Sequence, residues 1–168
     1  MRKFRKFIRF SRLNLLNHLN PINLRRRRIN QPFNFHMQRL PHIFFAPSPL
    51  GGRGVFTSEQ IPKDSLIEIC PVIVLPEEEL PIIHKTFLHD YYFLWGENEE
   101  QCAIALGFGS LYNHAYDSNA EYIIDLDELT IDIYSVRDIE AGEEITVNYN
   151  GEPGDMKPVW FDRDDYER

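Results

Sequence analysis

The chain has 168 residues, 43% of them hydrophobic and 13% aromatic, enough for one domain with a real core and too few for two comfortable ones. Two cysteines, Cys70 and Cys102, exclude a disulfide framework or a cysteine-based zinc cluster and point to a reducing, intracellular setting, cytoplasmic or nuclear; no apolar run reaches the length of a membrane span. The net charge of −8 conceals two unlike parts, because residues 1–38 hold ten of the 18 Lys/Arg and no acid, leaving a balance of −18 on the remainder.

The basic head, residues 1–36, includes "RRRR" at 25–28 and is expected to add nothing to the fold. Its Arg-rich, acid-free composition suits an organellar transit peptide. It equally suits an arm that would bind nucleic acid if real and exposed. Met37, directly ahead of the change in composition, offers a third reading in which translation starts there. The domain is expected over 37–150, followed by a closing segment and acidic tail at 151–168.

From residue 40 onward the pattern is mainly β. "HIFFA" (42–46) leads through "PSPLGGRG" to "VFT" (55–57), and "SLIEICPVIVL" (65–75) reads as two short strands meeting at a corner at Pro71. "PEEELPIIHKTFLHDYYF" opens on a helix-start signature, with Pro81 limiting any helix to a short piece. Strands are expected at "YFLW" (92–95), "QCAIAL" (101–106), "EYIIDL" (121–126) and "LTIDIYSV" (129–136), with "DLDEL" as a hairpin connection. In the last of these Leu129, Ile131 and Ile133 alternate with Thr130, Asp132 and Tyr134, the period of a half-buried strand. A turn at Ala141-Gly142 precedes a final strand over 144–149.

Three segments depart from strand-and-turn logic. The glycines of "LGGRGVF" (50–56) allow close approach of backbone to a ligand, or simply a tight turn. "GFGSLYNHAYDSN" (107–119) concentrates asparagines, a histidine and tyrosines between two runs that read as buried. "GEEITVNY" (142–149) ends an apolar strand on a tyrosine that suits a core cover as well as a reactive group. His84 and His89, beside Asp90, lack the further ligands a metal site needs, so no metal is expected.

In this order, the three segments resemble the SET domain of protein-lysine methyltransferases over about residues 40–150. "GRG" at 52–54 is similar to that family's Gly-x-Gly motif, "NHAYDSN" to its Asn-His-Ser-x-x-Pro-Asn motif, and "RDIEAGEEITVNY" to its closing Arg-x-Ile-x-x-Gly-Glu-Glu-Leu-Thr-x-x-Tyr stretch. The resemblance implies a fold of several short-stranded sheets with a C-terminal pseudoknot and few short helices. It implies S-adenosyl-L-methionine as cofactor, held by Gly52, Arg53 and Gly54 and by Asn113 and His114, with Trp160 folding over it or over the lysine channel. Tyr149 would be the active-site tyrosine. Tyr122, Tyr112 and Tyr92 would be candidates for the channel wall, and Val147 stands where residue size affects how many methyl groups fit.

Ala115 and Ser118 depart from the family's Ser and Pro, which keeps open a catalytically silent SET-fold module that binds a peptide or cofactor. With no cysteine-rich module after the domain, "GEPGDMKPVWFD" (151–162) is expected to close the site; its aromatics could alternatively line a homodimer interface. The acidic body suits a lysine-rich, basic protein substrate, and equally suits solubility alone.

Overall fold

The computed structural model of the chain describes residues 38–162. The expectations for residues 1–36 and for the tail beyond 162 fall outside the described residues. The chain divides after Met37, and the unit that begins at Gln38 carries every element named below.

Among the described residues, nine short strands form two sheets, as the alternating and β-branched runs require. One has the order β1-β2-β9-β6 and the other β4-β5-β3-β8-β7. Strand β1 (Ile43–Pro47) and β2 (Arg53–Thr57) make an antiparallel hairpin. Its turn needs glycine at 52, where φ is +55°, and the Gly52 carbonyl accepts a bond from the Ser48 N–H. Strand β9 (Glu144–Val147) lies antiparallel to β2 on one side and parallel to β6 (Asn113–His114) on the other. Two segments some thirty residues apart in sequence are thereby locked side by side.

The second sheet corrects the expectation of two strands at 65–75. Strand β3 (Leu66–Leu75) is continuous, but it changes partners at Pro71. Its first half pairs with β8 (Thr130–Ser135) and its second with β5 (Gln101–Ala105). Proline has no N–H to give to a ladder, so the switch falls where one rung is missing anyway. Strand β4 (Tyr92–Trp95) extends the sheet beyond β5, and β7 (Ala120–Asp125) completes it beside β8.

Strand β8 is not the half-buried strand its alternation suggests. Ile131 and Ile133 are buried, but so is Asp132, which accepts a bond from the Thr130 hydroxyl. Leu129 is instead exposed, in the left-handed conformation at φ +54°, because it closes the β7–β8 turn. The core joins both sheets through Val55, Ile61, Ile67, Ile131, Ile133, Ile139, Ile145 and Val147.

Between β3 and β4 the chain makes a 3-10 turn (Glu77–Glu79), one turn of helix α1 (Leu80–Ile83), and a second 3-10 turn (Phe87–Tyr91). The Thr86 hydroxyl caps the last by accepting from the Leu88 N–H at 3.2 Å. No helix among the described residues is long and apolar enough to cross a membrane.

Candidate active site

The loop 107–119 earns its polar residues by clamping the molecule together. Asn119 is buried; its amide donates to the Glu143 carboxylate (3.0 Å) and the Glu144 carbonyl (2.7 Å), while its carbonyl oxygen accepts from the Thr146 N–H (2.9 Å). A side-chain amide with both ends satisfied fixes the loop against β9. Glu143 is also gripped by Arg137, whose bond is the main reason its carboxyl is held down to about 2.

His114 turns this clamp into a site. Its Nδ1 accepts from the Tyr149 N–H at 3.0 Å, so a neutral ring carries its proton on Nε2. Burial lowers its pKa, against a smaller upward pull from Asp162, and favours that neutral form. The bond also explains why β9 ends at Val147 rather than at 149. Asn148 leaves the ladder, accepts from the Asn150 N–H and donates to the Asp155 carbonyl, and Tyr149 swings onto the histidine.

The Tyr149 ring is packed among aromatics. Trp160 stacks on it at 5.5 Å with the planes 8° apart, and His114 and Phe161 meet it at 5.2 and 6.3 Å. Its hydroxyl donates to the Tyr112 carbonyl at 3.0 Å. Burial, and secondarily the charges of Asp90, Tyr91 and Glu144, push the hydroxyl well above the usual tyrosine range. Tyr149 therefore stays a neutral phenol, with its proton turned toward Tyr112 and its lone pairs available elsewhere.

A second cluster lies on β2 and β9. The Glu144 carboxylate accepts from Asn113 Nδ2 (2.8 Å) and from the Ser48 hydroxyl (2.9 and 2.8 Å), and Asn113 Nδ2 also reaches the Arg53 carbonyl (3.2 Å). Gly54 makes this approach possible, since a Cβ there would lie 1.9 Å from Glu144 Oε1 and 2.9 Å from Asn113 Nδ2. Carboxylate and carbonyl oxygens gathered at a backbone with no side chain suit an ammonium group. Nearby, His114 Nε2 and Trp160 Nε1 are buried polar atoms without a protein partner. A polar-rimmed aromatic cradle of this kind fits S-adenosylmethionine, with its cationic sulfur, amino group and adenine.

The sequence-based site residues are distributed unevenly. Gly54, Asn113, His114, Tyr149 and Trp160 belong to these two adjoining clusters. Arg53 contributes its carbonyl, whereas its guanidinium is exposed, 6.0 Å from the Phe45 ring centroid. Gly52 serves the hairpin turn. Tyr122 stands behind Tyr149, with its hydroxyl 3.5 Å from the Tyr149 carbonyl and its ring against Phe93. Tyr92 is bonded to His84 Nδ1 at 2.9 Å.

Tyr112 differs from the expected channel wall, because its hydroxyl is turned inward to Glu68 and only its carbonyl meets Tyr149. Val147 is fully buried in register with His114. His84 and His89 meet edge to face at 4.3 Å, and no cluster of three potential ligands is present among the described residues.

Sequence reasoning missed Ser48, Glu144 and Tyr116 as parts of the site. Tyr116 ties the closing segment down: its carbonyl accepts from the Gly154 N–H (2.7 Å) and its hydroxyl donates to Asp162. Glu144 had a signal, an acid beginning an otherwise apolar strand. Ser48 and Tyr116 had none of their own.

The family described as SET domain matches residues 52–150 of this chain. A histone-lysine N-methyltransferase of Schizosaccharomyces pombe, specific for lysine 37 of histone H3, is 36% identical over 112 residues, which is 66% of this chain and 71% of the relative. The crystal structure of a Plasmodium falciparum protein described as a candidate histone methyltransferase superposes with a TM-score of 0.53 at 33% identity, covering 66% of this chain and 98% of that one. Chaetomium thermophilum Polycomb Repressive Complex 2, as a humanized mutant bound to an inhibitor, shares the fold at a TM-score of 0.53 and 22% identity, over 64% of this chain and 14% of its own.

Proposed function

This chain belongs to the SET-domain family of protein-lysine methyltransferases, and we propose that it takes its methyl group from S-adenosylmethionine and delivers it to a histone lysine. The observation that carries this reading is the junction of Tyr112, Asn113 and His114 with Tyr149, made by the Tyr149 N–H on His114 and the Tyr149 O–H on the Tyr112 carbonyl. The substrate class follows from the fission-yeast relative, which acts on histone H3. The acidic body supports it, since it attracts basic tails. A histone substrate implies action in the nucleus.

When bound, S-adenosylmethionine supplies an electrophilic methyl group on a cationic sulfur. Glu144, Asn113 and the Arg53 carbonyl would hold its amino-acid end, and His114, Trp160 and Phe161 its flatter parts. The chain's own work is on the lysine. A lysine amine with a pKa of about 10.4 is almost wholly protonated at neutral pH and then has no lone pair. The aromatic wall at Tyr149, with Tyr122 packed behind it, would disfavour the ammonium by desolvation. The Tyr149 oxygen, its proton engaged on Tyr112, accepts from the amine N–H and aligns the nitrogen lone pair, which is positioning rather than acid–base work.

Because the Tyr149 hydroxyl is raised above 10, it remains protonated across the alkaline range. The expected initial rate at limiting peptide rises from neutral pH to pH 10 as the free amine grows, with no fall from Tyr149. A descending limb below pH 10 that vanishes in Tyr149→Phe would contradict this.

The substrate class is tested with the full chain, labelled S-adenosylmethionine, separated core histones and a set of non-histone basic proteins. Label concentrated on one histone supports the reading. Equal label on every basic protein would leave the lysine chemistry standing and remove the histone assignment.

A further inference from the structure

Glu68 is an acid in the middle of an apolar strand, "LIEIC", and only 3% of it is exposed. A lone buried carboxylate costs several kcal/mol unless donors surround it. Here Oε1 accepts from the Phe108 N–H at 3.0 Å and Oε2 from the Tyr112 hydroxyl at 2.9 Å, with Arg39 4.0 Å away. Gly107 permits the fit, since a Cβ there would lie 2.4 Å from Oε1. None of these groups enters the methyl-transfer site by its own side chain.

The carbonyl of Tyr112, however, is the acceptor for the Tyr149 hydroxyl. The Tyr112 ring is itself 2% exposed, with its far end pinned to β3 by Glu68. The next residue, Asn113, is held in register with Thr146 on β9 and bonded to Glu144. The peptide between Tyr112 and Asn113 is therefore fixed from two sides, by an anchor 44 residues back in the chain and by another strand. One end of that peptide orients the Tyr149 proton, and the other carries the cofactor-side asparagine.

We propose that Glu68 and the Tyr112 hydroxyl are positioning residues for methyl transfer, acting through the Tyr112 carbonyl on Tyr149. This rests on Tyr149 having the role given above. A phenol O–H has one proton and two in-plane directions open to it, and a carbonyl held in place selects one of them. If Tyr112 can tilt, the Tyr149 lone pairs no longer face one line of attack, and misplacement of that kind lowers the rate more than the binding.

The test is a double-mutant cycle in the full chain, reading kcat, the peptide KM and the cofactor Kd. Tyr112→Phe, which keeps the ring and removes the bond to Glu68, is expected to lower kcat about tenfold, with KM and Kd within about twofold. In the Tyr149→Phe background the same change is expected to alter kcat less than about twofold, since the group it acts through is gone. An equal loss in both backgrounds, or a loss shared by kcat, KM and Kd, would mean Tyr112 acts on stability alone and overturns the proposal. So would no loss at all.

If Tyr112→Phe does not fold, Glu68→Gln, which keeps shape and one acceptor, runs through the same cycle with an expected loss of about threefold. An active Tyr149→Phe would overturn both this inference and the role of Tyr149. An inactive Tyr149→Phe beside an unaffected Tyr112→Phe overturns this inference only.

Discussion

Replacing Tyr149 with phenylalanine is expected to lower kcat for lysine methylation by about 100-fold or more, a loss comparable to removing a preorganised polar group from other active sites. The ring is what Trp160, His114 and Phe161 pack against, and it survives the change. The Tyr149 N–H to His114 is backbone and also survives. What is lost is one oxygen, whose proton is bound to the Tyr112 carbonyl and whose lone pairs would face the amine in the proposed reaction. Cofactor Kd is therefore expected to stay within about twofold, since the main fault lies in the transition state. The melting temperature is expected to fall by roughly 2–8 °C, because the Tyr112 carbonyl loses its partner. Equal falls in affinity and kcat would contradict that division.

Adding a single methyl group at Gly54 is expected to be the most damaging small change to cofactor binding. The Cβ of Gly54→Ala would meet Glu144 Oε1 at 1.9 Å. A flexible carboxylate could ordinarily step aside, but this one accepts from Ser48 and from Asn113, and Asn113 Nδ2 itself would lie 2.9 Å from the new carbon. Moving Glu144 releases both partners, and leaving it in place is sterically impossible. The expected result is a cofactor Kd raised at least about tenfold and a stability loss of about 1–3 kcal/mol. Titration of the purified variant with S-adenosylmethionine measures the first and chemical unfolding the second. Wild-type affinity in Gly54→Ala would show that the ligand's amino-acid end lies elsewhere.

Much of this was legible in the sequence because its signals are local. Alternation and β-branching gave the strands, Gly52 and Gly142 their turns, and three motifs in order gave the family. The same local view explains the errors. Pro71 reads as a break, yet a strand can pass a missing N–H by changing partners there. Leu129 reads as core because it continues an alternation, although the turn claims it. Tyr112 reads as a channel tyrosine, but the buried carboxylate that turns it inward sits 44 residues away. Glu68, Ser48 and Tyr116 act only through partners distant in the chain, and no spacing rule names such partners. Asn119 is the instructive middle case, since its motif suggests a ligand site while two of its bonds bind the loop to β9 and a third goes to Glu143 just before it.

The Tyr149 pocket differs from a passive peptide or cofactor holder in one directly observable way. Full-length protein is incubated with labelled S-adenosylmethionine and mixed basic proteins, and the acid hydrolysate is separated into its amino acids. Label recovered as methyl-lysine from the wild type, and about 100-fold less from Tyr149→Phe with cofactor binding retained, is the predicted result. Cofactor binding without any methyl-lysine from the wild type would contradict it and leave a binding module.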